Sequence, residues 1–174
     1  MSSHKSQRRR GAAQTSGNPK FWGKHAVTAA LENPERRILK VWATREAMAS
    51  FELPSGVPFQ FCEGSDLARF VPRDTPHQGI VAEVDQYPYS DVIEILERAK
   101  GELPFVLMLD SLQDPQNFGT LIRTAEALGV HGVVIPTARS VEVTPAVVNA
   151  SSGASEHMLI AQANLSQTID ALKD

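Results

Sequence analysis

The run from Leu107 to Pro136, LMLDSLQDPQNFGTLIRTAEALGVHGVVIP, constrains the fold of this chain more than any other stretch. It reads as a strand, a polar turn, a helix, a glycine stop and a second strand. Two apolar strands joined by an amphipathic helix form a parallel unit, and its sheet needs cover on both faces. Such units place ligands at the carboxyl ends of their strands. Within the run, Asp114, Pro115 and Gly119 suit the turn. Asn117 precedes a helix expected over about Phe118 to Leu128. There it fits an N-cap, or a group that positions an anionic or hydroxyl ligand at the positive helix end. Arg123 lies beside the apolar face of Leu121, Ile122, Ala125 and Leu128, one turn into that helix. A cation so near the N-terminus gains nothing from the helix dipole. It is either a solvated surface residue or a functional one.

The rest of the chain alternates in the same manner. Helix signals over Lys24 to Glu32 end at Asn33-Pro34, and Ile38 to Ala43 reads as a strand. A short helix over Arg45 to Phe51, a strand over Val57 to Cys62, a helix capped by Ser65, and a strand over Gly79 to Val84 follow. Tyr87-Pro88-Tyr89-Ser90 marks a boundary. Beyond it, Ser90 or Asp91 caps a helix from Val92 to Lys100, which either bridges two domains or opens the second. Phe105 to Leu109 is apolar throughout, as in a strand covered on both faces. Thr144-Pro145 opens a further helix, Leu159-Ile160 is a short apolar pair, and Leu165 to Leu172 has helical spacing. The expected organisation is a disordered basic tail over 1–20, a small α/β domain over 21–86, a linker and helix over 87–102, and a second α/β domain over 103–174. With two or three strands, that last sheet is thin.

Charge is unevenly distributed. The net charge is −3, yet residues 1–20 carry five cations and no acid. A basic arm on an acidic body suits an anionic partner, RNA above all, and equally suits a solvated tail. No stretch approaches the ~18 apolar residues that span a bilayer. The N-terminus has no apolar segment of a secretory signal, and the single cysteine, Cys62, forms no internal disulfide, as in a cytoplasmic protein. Neither G-x-G-x-x-G nor G-x-x-x-x-G-K-[ST] is present, so a nucleotide-binding Rossmann-like reading is weak. The five histidines are scattered without metal-ligand spacing, so no metal is expected. Ser111 and Ser152 lack the G-x-S-x-G setting of a hydrolase elbow.

Asn117-x-Gly119-x-x-x-Arg123-Thr124-Ala125, followed by Gly129-Val130-x-Gly132-Val133-Val134-Ile135-Pro136, resembles the first motif of the SpoU/TrmH RNA ribose 2′-O-methyltransferases. Arg139-Ser140, Thr144-Pro145 and Ser152-Gly153-Ala154-x-Glu156 continue the likeness. Gly23-x-His25-Ala26-Val27-x-x-Ala30-Leu31 and His77-Gln78-Gly79-Ile80-Val81-Ala82 are similar to the substrate-binding domain of that family, which has an L30e-like fold. The resemblance runs from Phe21 to Asp174, and its nearest likeness is to bacterial enzymes that methylate a guanosine ribose of 23S rRNA. It implies an L30e-like α/β domain followed by a SPOUT domain with a trefoil knot, S-adenosylmethionine as cofactor, an RNA substrate (rRNA or tRNA) and a homodimer. It implies catalytic roles for Arg123 and Asn117. It makes His25, His77, Gln78 and Glu156 candidates for substrate binding.

An arginine fits this chemistry. A ribose 2′-hydroxyl is a poor nucleophile, and a guanidinium can orient it with the adjacent phosphate and stabilise developing alkoxide charge. Its high pKa argues against service as a general base. The second and third motifs of the family form the knot and most of the cofactor pocket, and neither is found before Asp174. The chain therefore reads as the N-terminal part of such an enzyme, with cofactor-binding residues expected beyond residue 174. The alternative is a non-catalytic RNA-binding module.

Overall fold

The computed structural model describes residues 17–173, and the basic run at Arg8–Arg10 lies outside them. Among the described residues, seven strands form two sheets, with helices packed on them. The first sheet holds β1 (Lys20–Trp22), β2 (Ile38–Ala43), β3 (Phe59–Phe61) and β4 (Ile80–Val84), in the order β1-β4-β2-β3. β4 runs antiparallel to β1 and β2, and β3 lies parallel to β2 at the edge. Helix α1 (Lys24–Glu32) turns Ala26, Val27 and Ala30 onto this sheet. They meet Phe21, Val41, Ile80 and Val84 in one core. Two single-turn helices, α2 (Arg45–Met48) and α3 (Gly64–Leu67), close the other end of β2 and β3.

The second sheet is wholly parallel, in the order β5 (Val106–Met108), β6 (Gly132–Ile135), β7 (Leu159–Gln162). Central β6 is buried at every position. Its side chains alternate as a strand requires. Val133 and Ile135 face α5 (Pro115–Ala127) and α6 (Pro145–Ala150), while Val134 faces α4 (Val92–Arg98). Helix α4 thus belongs to the second sheet: Ile95 sits so close to Gly132 that a Cβ there would lie 2.6 Å from it. Helix α7 (Leu165–Lys173) reaches the same face through Leu165.

Several expectations need correction. β1 carries no strand signal of its own, because Lys20-Phe21-Trp22 is too short to alternate; pairing with β4 makes it a strand. The short helix after β3 is entered from Glu63, and Ser65 lies inside it. Asp91 caps α4, its carboxylate accepting from the Ile93 N–H. β5 is an edge strand with all three residues half-buried, so its apolar run does not mean cover on both faces. The opposite edge, on β7, is covered by the connecting segment, where the Ser90 N–H donates to the Ile160 carbonyl at 2.9 Å. Helix α5 starts at Pro115, and Asp114 is its N-cap, accepting from the Asn117 N–H at 2.8 Å. Its buried face is Phe118, Gly119, Ile122 and Ala125. Leu121 and Leu128, expected on that face, are 37% and 67% exposed.

The two sheets share an interface. Val148 of α6 belongs to the first core, and Gly153 abuts Ala29 and the His25 carbonyl of α1. Between them lies a buried ion pair, Arg36 with Glu156, at 2.7 Å.

Candidate functional site

The residues singled out from sequence fall into three environments. Asn117 and Arg123 are both solvent-exposed on α5. Asn117 occupies the first turn, next to the loop after β5. Arg123 lies eight residues from the helix start, roughly 12 Å down the axis rather than one turn in. Six residues separate the two, so they project roughly 120° apart around the helix. Among the described residues the Arg123 guanidinium has no hydrogen-bond or ion-pair partner. It lies on a face that also exposes Thr120 and Thr124.

His77 and Gln78 form the second environment, with His25 nearby. The turn before β4 holds Gln78 at φ 53° and Gly79 at φ 76°. A Cβ on Gly79 would lie 2.7 Å from the Thr44 hydroxyl, so only glycine lets this turn press against α2. The turn supplies what α1 lacks. Its N-cap, Gly23, has no side chain, and the Gln78 Oε1 accepts from the Lys24 N–H at 2.9 Å instead. The His77 Nδ1 accepts from the Gly79 N–H at 3.1 Å, which leaves Nε2 as the proton-bearing nitrogen of the neutral ring. His25 is exposed in the first turn of α1. His77 and Gln78 line an open cleft of about 1030 Å³ with Lys24, Arg45, Phe61 and Glu63. Sequence reasoning missed Arg45 and Phe61. The alternation of Phe59 and Phe61 on a short edge strand was the available signal.

Glu156 occupies the third environment, between the domains. It is 5% exposed, and its carboxylate accepts from Arg36 Nε at 2.9 Å, from a terminal Arg36 nitrogen at 2.7 Å and from Asn33 Nδ2 at 3.1 Å. The other terminal nitrogen of Arg36 donates to the Asp85 carbonyl. The guanidinium lies over the rings of Phe21 and Tyr87, at 5.2 and 4.9 Å. Tyr87 and Tyr89 tie the connecting segment down: the Tyr87 hydroxyl lies 2.9 Å from the Ser155 carbonyl, and the Tyr89 oxygen accepts from the Val143 N–H. Burial pushes the Tyr87 phenol well above its usual range and Tyr89 up to about 12.

A crevice at the carboxyl ends of β5, β6 and β7 is lined by Asp110, Pro136, Thr137, Ala163 and Asn164. Its volume is about 260 Å³, below the ~300–1,000 Å³ usual for a site that encloses a cofactor-sized ligand. The Asn164 side chain is already engaged, capping α7 through the Gln167 N–H. The described residues contain no group of three or more metal-ligating side chains, and no helix among them is long and apolar enough to cross a membrane.

Comparison with known proteins gives this geometry its context. Residues 104–174 match the SpoU rRNA methylase family, and residues 21–90 match the RNA 2′-O ribose methyltransferase substrate-binding domain. A Bacillus subtilis protein, YacO, assigned to the TrmH family of tRNA/rRNA methyltransferases, is 38% identical over 162 residues, which is 87% of this chain and 64% of YacO. A Staphylococcus aureus protein of that family is 48% identical over 104 residues, 58% of this chain and 42% of the relative. Among solved structures, a Porphyromonas gingivalis RNA methyltransferase of the TrmH family superposes with a TM-score of 0.72 at 26% identity, over 90% of this chain and 59% of that one. The Streptomyces viridochromogenes SpoU methyltransferase AviRb, solved with S-adenosylmethionine, shares the fold at a TM-score of 0.67 and 19% identity, over 90% of this chain and 60% of that one. The chain thus spans between about two-fifths and two-thirds of the length of the relatives it matches. By both of its domains, it belongs to the SpoU/TrmH family of RNA methyltransferases.

Proposed function

We propose that this chain supplies the RNA-binding and ribose-facing parts of an S-adenosylmethionine-dependent RNA ribose 2′-O-methyltransferase, with a guanosine of 23S rRNA as its target. The observation that carries this reading is Arg123: an exposed guanidinium on α5, without a partner among the described residues, in a segment that matches the methylase family and is joined to a substrate-binding domain. Arg123 orients the 2′-hydroxyl against the neighbouring phosphate and stabilises charge as the oxygen becomes a nucleophile. It is too basic to take the proton itself. Asn117, beside the helix start, hydrogen-bonds the same sugar–phosphate unit. His25, His77 and Gln78 contact RNA from the first domain. Glu156, with both oxygens held by protein donors, serves the domain interface. The cofactor supplies the methyl group when bound. Leu121 and Leu128, exposed along α5, suit burial against a second copy in a homodimer.

Transfer of labelled methyl groups from S-adenosylmethionine to rRNA transcripts, by an intact enzyme that contains this chain and the remaining methylase motifs, tests this reading. Label is expected on ribose, and Arg123→Ala is expected to lower transfer on the order of 100-fold. An Arg123→Ala variant as fast as the wild type contradicts the assignment. The second reading, a non-catalytic RNA-binding module, is favoured by one observation: a cleft of about 1030 Å³ lies in the substrate-binding domain, while the crevice at the strand ends measures about 260 Å³. RNA binding without any methyl transfer would support it.

A further inference from the structure

The cleft beside β3 has the wrong charge for a groove that follows a phosphate backbone. Lys24 and Arg45 line it, but so do Glu46, Glu63 and Asp66, so carboxylates outnumber the lysine and arginine three to two. Grooves that track single-stranded backbones are positively charged. Lys24 is further engaged, its ammonium donating to the Ser50 hydroxyl at 2.6 Å.

The cleft does offer a flat stacking surface. Phe61 is 48% exposed on the edge strand of its sheet, and the Arg45 guanidinium lies 4.8 Å from its ring centroid. Phe59 supports Phe61 edge-on at 4.7 Å, which fixes the ring. The Arg45 guanidinium lies over one face of the ring, and the exposed half of the ring faces solvent, which water tolerates only at a cost. Around the platform stand hydrogen-bonding groups of both kinds. Glu63 offers carboxylate acceptors, and the Gln60 amide is exposed. The Gln78 oxygen is spent on α1, so its amino group remains as a donor. The His77 ring presents its Nε2 proton. Aromatic and guanidinium planes that stack a splayed-out base, ringed by donors and acceptors for its edge, are the chemistry of single-stranded RNA recognition.

We infer that this cleft takes one unstacked nucleobase, stacked on Phe61 and Arg45, with Glu63 accepting from an exocyclic amino group. The inference rests on the RNA reading above and narrows it: the first domain reads a base, and the sugar–phosphate contacts lie elsewhere.

The test uses the full chain and fluorescently tagged RNA: single-stranded hexamers of adenosine, cytidine or uridine, and a duplex of equal length. The single strands are expected to bind more tightly than the duplex, with adenosine and cytidine ahead of uridine, which has no amino group. Phe61→Ala is expected to weaken single-strand binding roughly tenfold, within the range of a lost base–aromatic stack. Phe61→Trp should restore it. The salt dependence should stay the same in both variants, because no phosphate contact is removed. Glu63→Gln should narrow the gap between adenosine and uridine. Phe61 is half exposed, so a thermal melt of each variant separates lost binding from lost folding. RNA binding that is indifferent to Phe61→Ala and equal for single strand and duplex overturns the base-reading cleft and leaves the family reading standing. No binding of any RNA overturns both.

Discussion

Gly119 sets how closely α5 approaches α6. A Cβ there would collide with the Ala150 side chain and lie 2.8 Å from the Ser151 nitrogen. The neighbour is backbone, which cannot swing aside. Gly119→Ala is therefore expected to destabilise the fold by about 1–3 kcal/mol, read as a lower urea midpoint. The sequence places Gly119 in the turn, since glycine usually marks one. Its actual reason, helix contact with a segment about 30 residues away, leaves no local signal. Asn117 follows the same logic. Asp114 and Asn117 are both good caps, and sequence alone does not rank them. Pro115 decides it, because proline prefers the first helical position and so puts the cap one residue earlier. Arg123 is different: its exposure is legible from helical spacing, but its lack of a partner among the described residues is a tertiary fact.

At the scale of elements, pattern carried the long pieces and failed on the short ones. α1 and β2 stand where their apolar spacing puts them, because each has enough residues to show a period. β1 and the β7 strand made from Leu159–Gln162 are too short, and only their sheet partners define them. The connecting segment reads as a boundary yet works as an edge cover, pinned by Tyr87 and Tyr89. Both phenols are raised above their usual pKa of about 10 by burial, Tyr89 to about 12. A raised folded-state pKa favours the neutral phenol. The stability it contributes is whole below about pH 10 and falls as pH climbs through 12. Urea titrations at pH 9 and pH 11 should show a loss at the higher value. Tyr89→Phe should make that loss smaller, and an unchanged loss in the variant contradicts the assignment.

Across the whole molecule, the Arg36–Glu156 pair fixes how the two domains meet. Each charge is buried and relies on the other. Glu156→Ala leaves the guanidinium in a dry, aromatic-lined site without its counter-charge, which should cost about 3–5 kcal/mol. Combining it with Arg36→Met should cost less than the sum of the two single changes, since the stranded charge is gone. A strictly additive cycle in urea denaturation contradicts the coupling. This interface was the least legible feature in the sequence. Glu156 stands out there as a motif acid, but its partner lies 120 residues away. The same limit applies to the base-reading cleft, where β3, α2 and the turn before β4 meet only in the fold.

We propose that this chain faces an RNA ribose, with Arg123 at the 2′-hydroxyl. The affinity of the full chain for a large-subunit rRNA fragment, set against DNA of identical sequence, tests this most directly, since the 2′-hydroxyl is what tells the two apart. RNA should bind more tightly than DNA, and Arg123→Ala should shrink that difference. Equal affinity for RNA and DNA, unchanged by Arg123→Ala, would contradict it.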